Sequence, residues 1–199
     1  MKSLKHFILI VFVLSQYNCH AEGNKGALNH ELGTMDNDSI LNGKPISFYI
    51  NHKKIPQICK DVFNNIRQPS DENDVLSLLD SVFTSNNETR PFYFLTLTRT
   101  LRKADGAYAE AVGMMGKNFV EKKTKAFVDY FEKELMLTTA DFNQWARAVA
   151  GEIEILAEGP TKQELGKLKA KMTSNCSKCG TKQINRINQF VERVGSYSP

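Results

Sequence analysis

After its first 14 residues the sequence has no long apolar run, so no transmembrane helix is expected, because a membrane-spanning helix takes about 20 consecutive apolar residues. It also lacks a strong charge of one sign: 26 basic residues stand against 22 acidic ones, mixed along most of the chain. Nucleic-acid binders carry a basic stripe that neutralises phosphates, so no nucleic-acid partner is expected. Strict alternation of apolar and polar residues, the mark of a half-buried strand, is almost missing. No complete catalytic or cofactor motif is present, so no cofactor and no resident metal are expected, and a non-enzymatic role is favoured. Cysteine is scarce, with Cys19, Cys59, Cys176 and Cys179 the four in 199 residues. A chain this long buries a core without a disulfide framework.

What is present begins with an export signal over residues 1–21. Lys2 and Lys5 form a basic start, Phe7 to Leu14 an apolar core, and Ser15 to Ala21 a more polar end. Cleavage after Ala21 puts two small residues, Cys19 and Ala21, where the peptidase pocket needs them, and leaves a product starting at Glu22. The alternative is lipoprotein processing with Cys19 as the acylated residue, although Gln16, Tyr17 and Asn18 depart from the usual lipobox. Cleavage removes two of the 26 basic residues and no acid, leaving 24 against 22. Three cysteines then remain, an odd number for an oxidising compartment, so at most one internal disulfide forms.

Residues 22–45 are rich in Gly, Asn and Asp and poor in apolar residues, which predicts a flexible leader. Phe48, Tyr49 and Ile50 are expected to form a short extended segment docked on the domain that follows, residues 46–199. From Pro56 onward the pattern is helical. Ile58, Val62, Phe63 and Ile66 share one face, and a second helix is expected to open at Ser70 with Asp71, Glu72 and Asp74 in its first turn. Thr89 is the expected cap of a central helix through Phe92, Phe94, Leu97 and Leu101. A fourth helix carries Tyr108, Val112 and Met115, and a fifth carries Phe119, Val120, Phe127 and Phe131, with a break near Lys122. Thr138 or Thr139 caps a sixth through Phe142, Trp145, Val149, Ile153 and Leu156, which ends at Gly159-Pro160. Two more follow, on Leu165, Leu168 and Met172 and on Ile184, Ile187, Phe190 and Val194. The expected fold is all-α, an irregular multi-helix bundle or short α-solenoid of seven or eight helices.

The sharpest local motif is Cys176-Ser177-Lys178-Cys179-Gly180. A redox role would follow if Ser174 or Asn175 capped a helix, since Cys176 would then sit at a helix N-terminus that favours its thiolate. A zinc knuckle would need two further ligands from Cys59, His30 or His52. A structural disulfide is the favoured reading, either Cys176 to Cys179 or Cys59 to one of them. The longer bridge would close over a hundred residues and stabilise by about 4 to 5 kcal/mol in the chain-entropy account. Cys176-Ser177-Lys178-Cys179 with Thr181-Lys182-Gln183 resembles the second cysteine pair of insect chemosensory proteins, small secreted helical carriers of apolar molecules. The resemblance spans about eight residues, and that family's first cysteine pair has no counterpart here.

A charged cluster between helices is the other candidate site: Arg99, Arg102, Asp105 and Glu110 lie among aromatics, and two carboxylates five residues apart across a glycine suit acid–base chemistry. Such groups also cap helices and pair with arginines. His30 and His52, in or near the leader, are expected to be solvated. These features together favour an exported helical protein, periplasmic or secreted, that binds another protein in the manner of an adaptor or immunity protein. The alternatives are a carrier of an apolar small molecule, motivated by the surplus of Phe, Leu and Met, and a thiol–disulfide protein using Cys176 and Cys179.

Overall fold

A computed structural model of the chain describes residues 39–104, 106–157 and 161–197. The expected signal, Cys19, His30, Asp105 and the Gly159-Pro160 stop lie outside these residues. The described chain opens on a hairpin, β1 (Ile40–Leu41) and β2 (Lys44–Pro45), paired antiparallel with Ile40 opposite Pro45. Asn42 and Gly43 make its turn at φ 49° and 74°, the left-handed pair that a tight hairpin turn requires. Leu41 is buried, and the Tyr49 hydroxyl donates to its carbonyl at 2.9 Å. Residues 40–45, the end of the stretch expected to be a flexible leader, are thus held against the helices.

Nine helices follow among the described residues: α1 (Ile46–Ile50), α2 (Gln57–Phe63), α3 (Asn73–Ser81), α4 (Arg90–Thr100), α5 (Gly106–Lys122), α6 (Thr124–Lys133), α7 (Thr139–Leu156), α8 (Thr161–Ser174) and α9 (Thr181–Gly195). The chain is an all-α multi-helix bundle, as its periodicity predicts. No described helix is long and apolar enough to cross a membrane.

Helix α4 is central, as its apolar run implies, and Arg90 and Arg99 are its only residues that are not buried. Its core threonines satisfy themselves: the hydroxyls of Thr96, Thr98 and Thr100 each donate at 2.8 Å to a carbonyl one turn back, from Phe92, Phe94 and Leu97. Around Phe94 the rings pack in sequence-distant layers. Trp145 of α7 stacks on it at 4.9 Å between centroids and 13° between planes, and Phe119, Tyr130 and Phe131 approach it from α5 and α6. Phe127 bridges onward to Phe190 of α9 at 4.7 Å. Burying one such side chain contributes about 1.5 to 3 kcal/mol, while an exposed ion pair contributes about 0 to 1, so this ring cluster dominates the stability.

Four local expectations are corrected. Phe48, Tyr49 and Ile50 belong to a helical turn, α1, because Tyr49 is held by Leu41 and stacks on Phe92 at 5.4 Å. Helix α3 begins at Asn73, not after Ser70, and only Asp74 lies in its first turn. Arg67 pairs with Glu72, the residue before the helix, and with Asp74 inside it, and the Ser70 hydroxyl caps nothing. Phe119 and Val120 continue α5 with Tyr108 instead of opening the next helix, while the break expected near Lys122 is present, at Lys123, where the Thr124 hydroxyl donates to the carbonyls of Val120 and Glu121 at 2.6 and 2.9 Å. His52 is not solvated: its ring packs edge-on against Phe48 and reaches Glu88 at 3.4 Å, with a side chain only 14 % exposed. The caps fare better. Thr89 occupies the α4 cap position without a side-chain bond, and Thr138 forms a full capping box with Asp141 at the start of α7.

Candidate functional site

Small residues create the most distinctive concavity. Gly113 and Gly116, one turn apart on α5, let that helix approach α7 so closely that a Cβ on Gly113 would stand 3.2 Å from the Ala148 carbonyl oxygen. Beside this contact Ala104, Ala109, Ala148 and Gly151 leave a hollow of about 260 Å³, with Leu101 and Val112 on its walls. Ile155 at the rim is 66 % exposed, and its neighbour Leu156 and Met114 of α5 are 57 % and 55 % exposed. A large apolar side chain left exposed at the rim of an apolar hollow suits a contact surface.

Two carboxylates, Glu110 and Glu152, line the same hollow. Glu110 is exposed; Glu152 is only 8 % exposed and has no hydrogen-bond partner among the described residues. Burial pushes the Glu152 carboxyl above its usual range, with Lys117 pulling it down and Glu110 pushing it further up. Lys117 itself is bonded to Glu121 at 2.8 Å. A mostly buried glutamate whose carboxyl meets solvent inside an apolar hollow is an acceptor for a cationic group that brings its own apolar stem. Arg147 also lines the hollow, with its guanidinium over the Tyr197 ring at 5.2 Å.

Among the described members of the charged cluster expected from sequence, Arg99, Arg102 and Glu110, only Glu110 lines this hollow. Arg99 lies on the Phe63 ring at 4.1 Å and donates to the Phe63 carbonyl at 3.4 Å, and burial pulls its guanidinium down to about 10. Arg102 pairs with Asp141 at 2.9 Å, tying the end of α4 to the α7 capping box. Both arginines serve helix packing. Glu152 belongs to no motif, and its one sequence signal is a charge three residues after Val149 on the apolar stripe of α7.

The three described cysteines resolve into one bridge and one thiol. Cys176 and Cys179 are joined in a disulfide with Cα atoms 5.2 Å apart, so Cys59 bridges neither of them. Helix α8 runs to Ser174 and α9 starts at Thr181, so Cys176 follows a helix C-terminus instead of opening a helix. It is buried, and the bridge staples the turn between α8 and α9. Cys59 is buried on α2 with its thiol directed to the Thr96 hydroxyl at 3.7 Å, and burial pushes it up to about 12. Among the described residues no three Asp, Glu, His or Cys side chains gather to hold a metal ion. Compared with protein families, curated proteins and solved structures, the chain matches none.

Proposed function

We propose that this is an exported, non-enzymatic helical protein that docks a partner protein on its α5–α7 face, through a partner segment carrying a lysine or arginine beside apolar side chains. The observation that carries this reading is the hollow itself: small residues open it, exposed Ile155 rims it, and the unpaired Glu152 supplies the complementary charge. Export is supported by the signal-like residues 1–21, and acylation of Cys19 is the alternative anchoring. The carrier reading has less support, because the ring cluster fills the interior, the apolar α5–α7 hollow is smaller than the roughly 300 to 1,000 Å³ of ordinary ligand pockets, and the larger cleft at the α5–α6 junction is lined mainly by charged and polar side chains. The redox reading has less support too, since Cys176 is only 3 % exposed to an attacking thiol.

The test places a photo-crosslinking residue at Ile155 in the full chain expressed in an exporting host. One crosslinked protein of defined mass is expected, lost with Glu110→Lys and weakened about tenfold or more by Glu152→Gln, which removes a charged contact. The same probe at the exposed Lys169 of α8 is expected to capture nothing of that mass. Equal capture at both positions, or none at Ile155, would overturn the reading. Glu152→Gln separates binding from folding. The raised carboxyl loses stability as pH climbs through its folded pKa, so the neutral amide is expected to leave the fold at neutral pH as stable or more so.

A further inference from the structure

A second concavity of about 510 Å³ opens where the α5–α6 junction meets the hairpin turn and the start of α4. Its walls carry Arg90, Lys122, Lys123, Lys125 and Lys133 against two acids, Asp129 and Glu134. Lys125 and Lys133 both turn to Asp129, and Glu134 accepts the backbone N–H of Asn42 at 2.8 Å. No acid pairs with Lys122 or Lys123 among the described residues, which leaves an excess of positive charge focused in one concave place.

Lysines at a helix junction are usually a solvated face, and two observations set these apart. Arg90 turns one guanidinium nitrogen to Asn87 and also interacts with Tyr130, which fixes its planar fork at the cleft wall with donor capacity to spare. Helix α6 also starts in this cleft, and Lys123 at its cap position provides no side-chain cap, which leaves the first-turn amides without a side-chain partner. Arginine's planar fork suits the tetrahedral oxygens of a phosphate, and the surrounding lysines suit a doubly charged group better than a carboxylate.

We propose that the cleft bounded by Arg90, Lys122, Lys123 and the start of α6 binds a phosphate monoester, with Arg90 and Lys123 as its principal contacts. The group reaches it either as a soluble phosphorylated metabolite or as a phosphorylated lipid headgroup. The site is separate from the α5–α7 hollow, so neither proposal depends on the other.

The test is calorimetric titration of the full chain with inorganic phosphate at low salt, with chloride at equal ionic strength as control. Saturable phosphate binding is expected, weakened about tenfold or more by Arg90→Gln and by Lys123→Gln, each of which removes one charge-assisted contact. Asp129→Asn is expected to tighten binding, because it frees Lys125 and Lys133. A variant that merely unfolds the protein cannot produce that gain. Absence of saturable binding, equal binding of chloride, or indifference to both Arg90 and Lys123 would overturn the proposal. Co-sedimentation with phosphatidylcholine vesicles containing phosphatidic acid, reversed by soluble phosphate, would identify the headgroup source. Binding of glucose 6-phosphate without vesicle binding would identify the soluble one; either result supports the shared chemistry.

Discussion

Trp145→Ala is expected to lower the folding free energy by about 4 kcal/mol, the range for emptying a fully buried indole site. Trp145 is completely buried, stacks on Phe94, and touches Phe119 and Phe127 at 5.8 and 5.6 Å between centroids. Its indole N–H also donates to the Thr98 hydroxyl at 2.8 Å, so α7 and α4 are joined there by both packing and a buried hydrogen bond. Against a total stability of about 5 to 15 kcal/mol, the loss is a large fraction, and it corresponds to a fall of roughly 8 to 16 °C in Tm. Urea unfolding is the measurement, followed by far-UV circular dichroism because the substitution removes the single tryptophan. Trp145→Phe keeps a ring on Phe94 but not the donor to Thr98, and is expected to cost about 1 to 3 kcal/mol. A cost below about 1 kcal/mol for the alanine variant would mean that the ring cluster does not organise the fold.

Glu132→Ala is expected to cost about 2 kcal/mol at neutral pH and almost nothing in acid. The carboxylate on α6 has a side chain only 8 % exposed and receives Lys182 and Arg186 of α9, each at 2.6 Å. Burial alone would raise its pKa, but the bonds from the two bases more than offset burial and hold it below the usual carboxylate range. A carboxyl depressed in the folded state contributes stability that is present above its unfolded value, about 4.3, and is lost as pH falls through the folded value. The expected figure lies between an exposed pair and a broken buried one, because the acid is buried whereas Lys182 is 76 % exposed and Arg186 30 % exposed. Urea midpoints of the wild type and the variant, taken from pH 7 to pH 3, should converge as pH falls. Asp129, also depressed and bonded to Gln183 at 3.3 Å across the same helix pair, leaves the variant a smaller acid dependence of its own. Parallel curves would show that Glu132 does not hold α9 by its charge.

Most of the helices were legible because long amphipathic segments announce themselves. The stripe Phe142, Trp145, Val149 and Ile153 repeats at three and four residues, and Thr138 with Asp141 marks its start. What escaped was decided by partners distant in sequence. Nothing local makes Phe48-Tyr49-Ile50 helical; the Leu41 carbonyl and the Phe92 ring do. Ser70 has the chemistry of a cap, yet its hydroxyl bonds nothing, and Arg67 holds Glu72 just before α3 so that Asp74 alone of the three acids lies in the first turn. The Cys-x-x-Cys segment looked like a helix start because Ser174 and Asn175 are good caps, whereas the periodicity of α8 carries through to Ser174, and Asn175 spends its amide on the Glu121 carbonyl at 2.8 Å. The charged cluster is contiguous only along the chain, because its described members lie on α4, in the turn after it and on α5. Thus Arg99, Arg102 and Glu110 face three different neighbours, and the carboxylate that shares a hollow with Glu110 comes from 42 positions away, at Glu152.

Cys59 makes the contact between α2 and α4 a turnstile that can be counted. A thiol reagent consumes only exposed thiolate, and with α2 seated Cys59 offers neither exposure nor ionisation. Each labelling event therefore records one departure of α2 from the Thr96 side of α4. Set against the rate of whole-chain unfolding, the labelling rate tells whether the first helices peel away as a separate cooperative unit or leave only when everything does. The protein thus reports the order in which it comes apart without any residue being added to it.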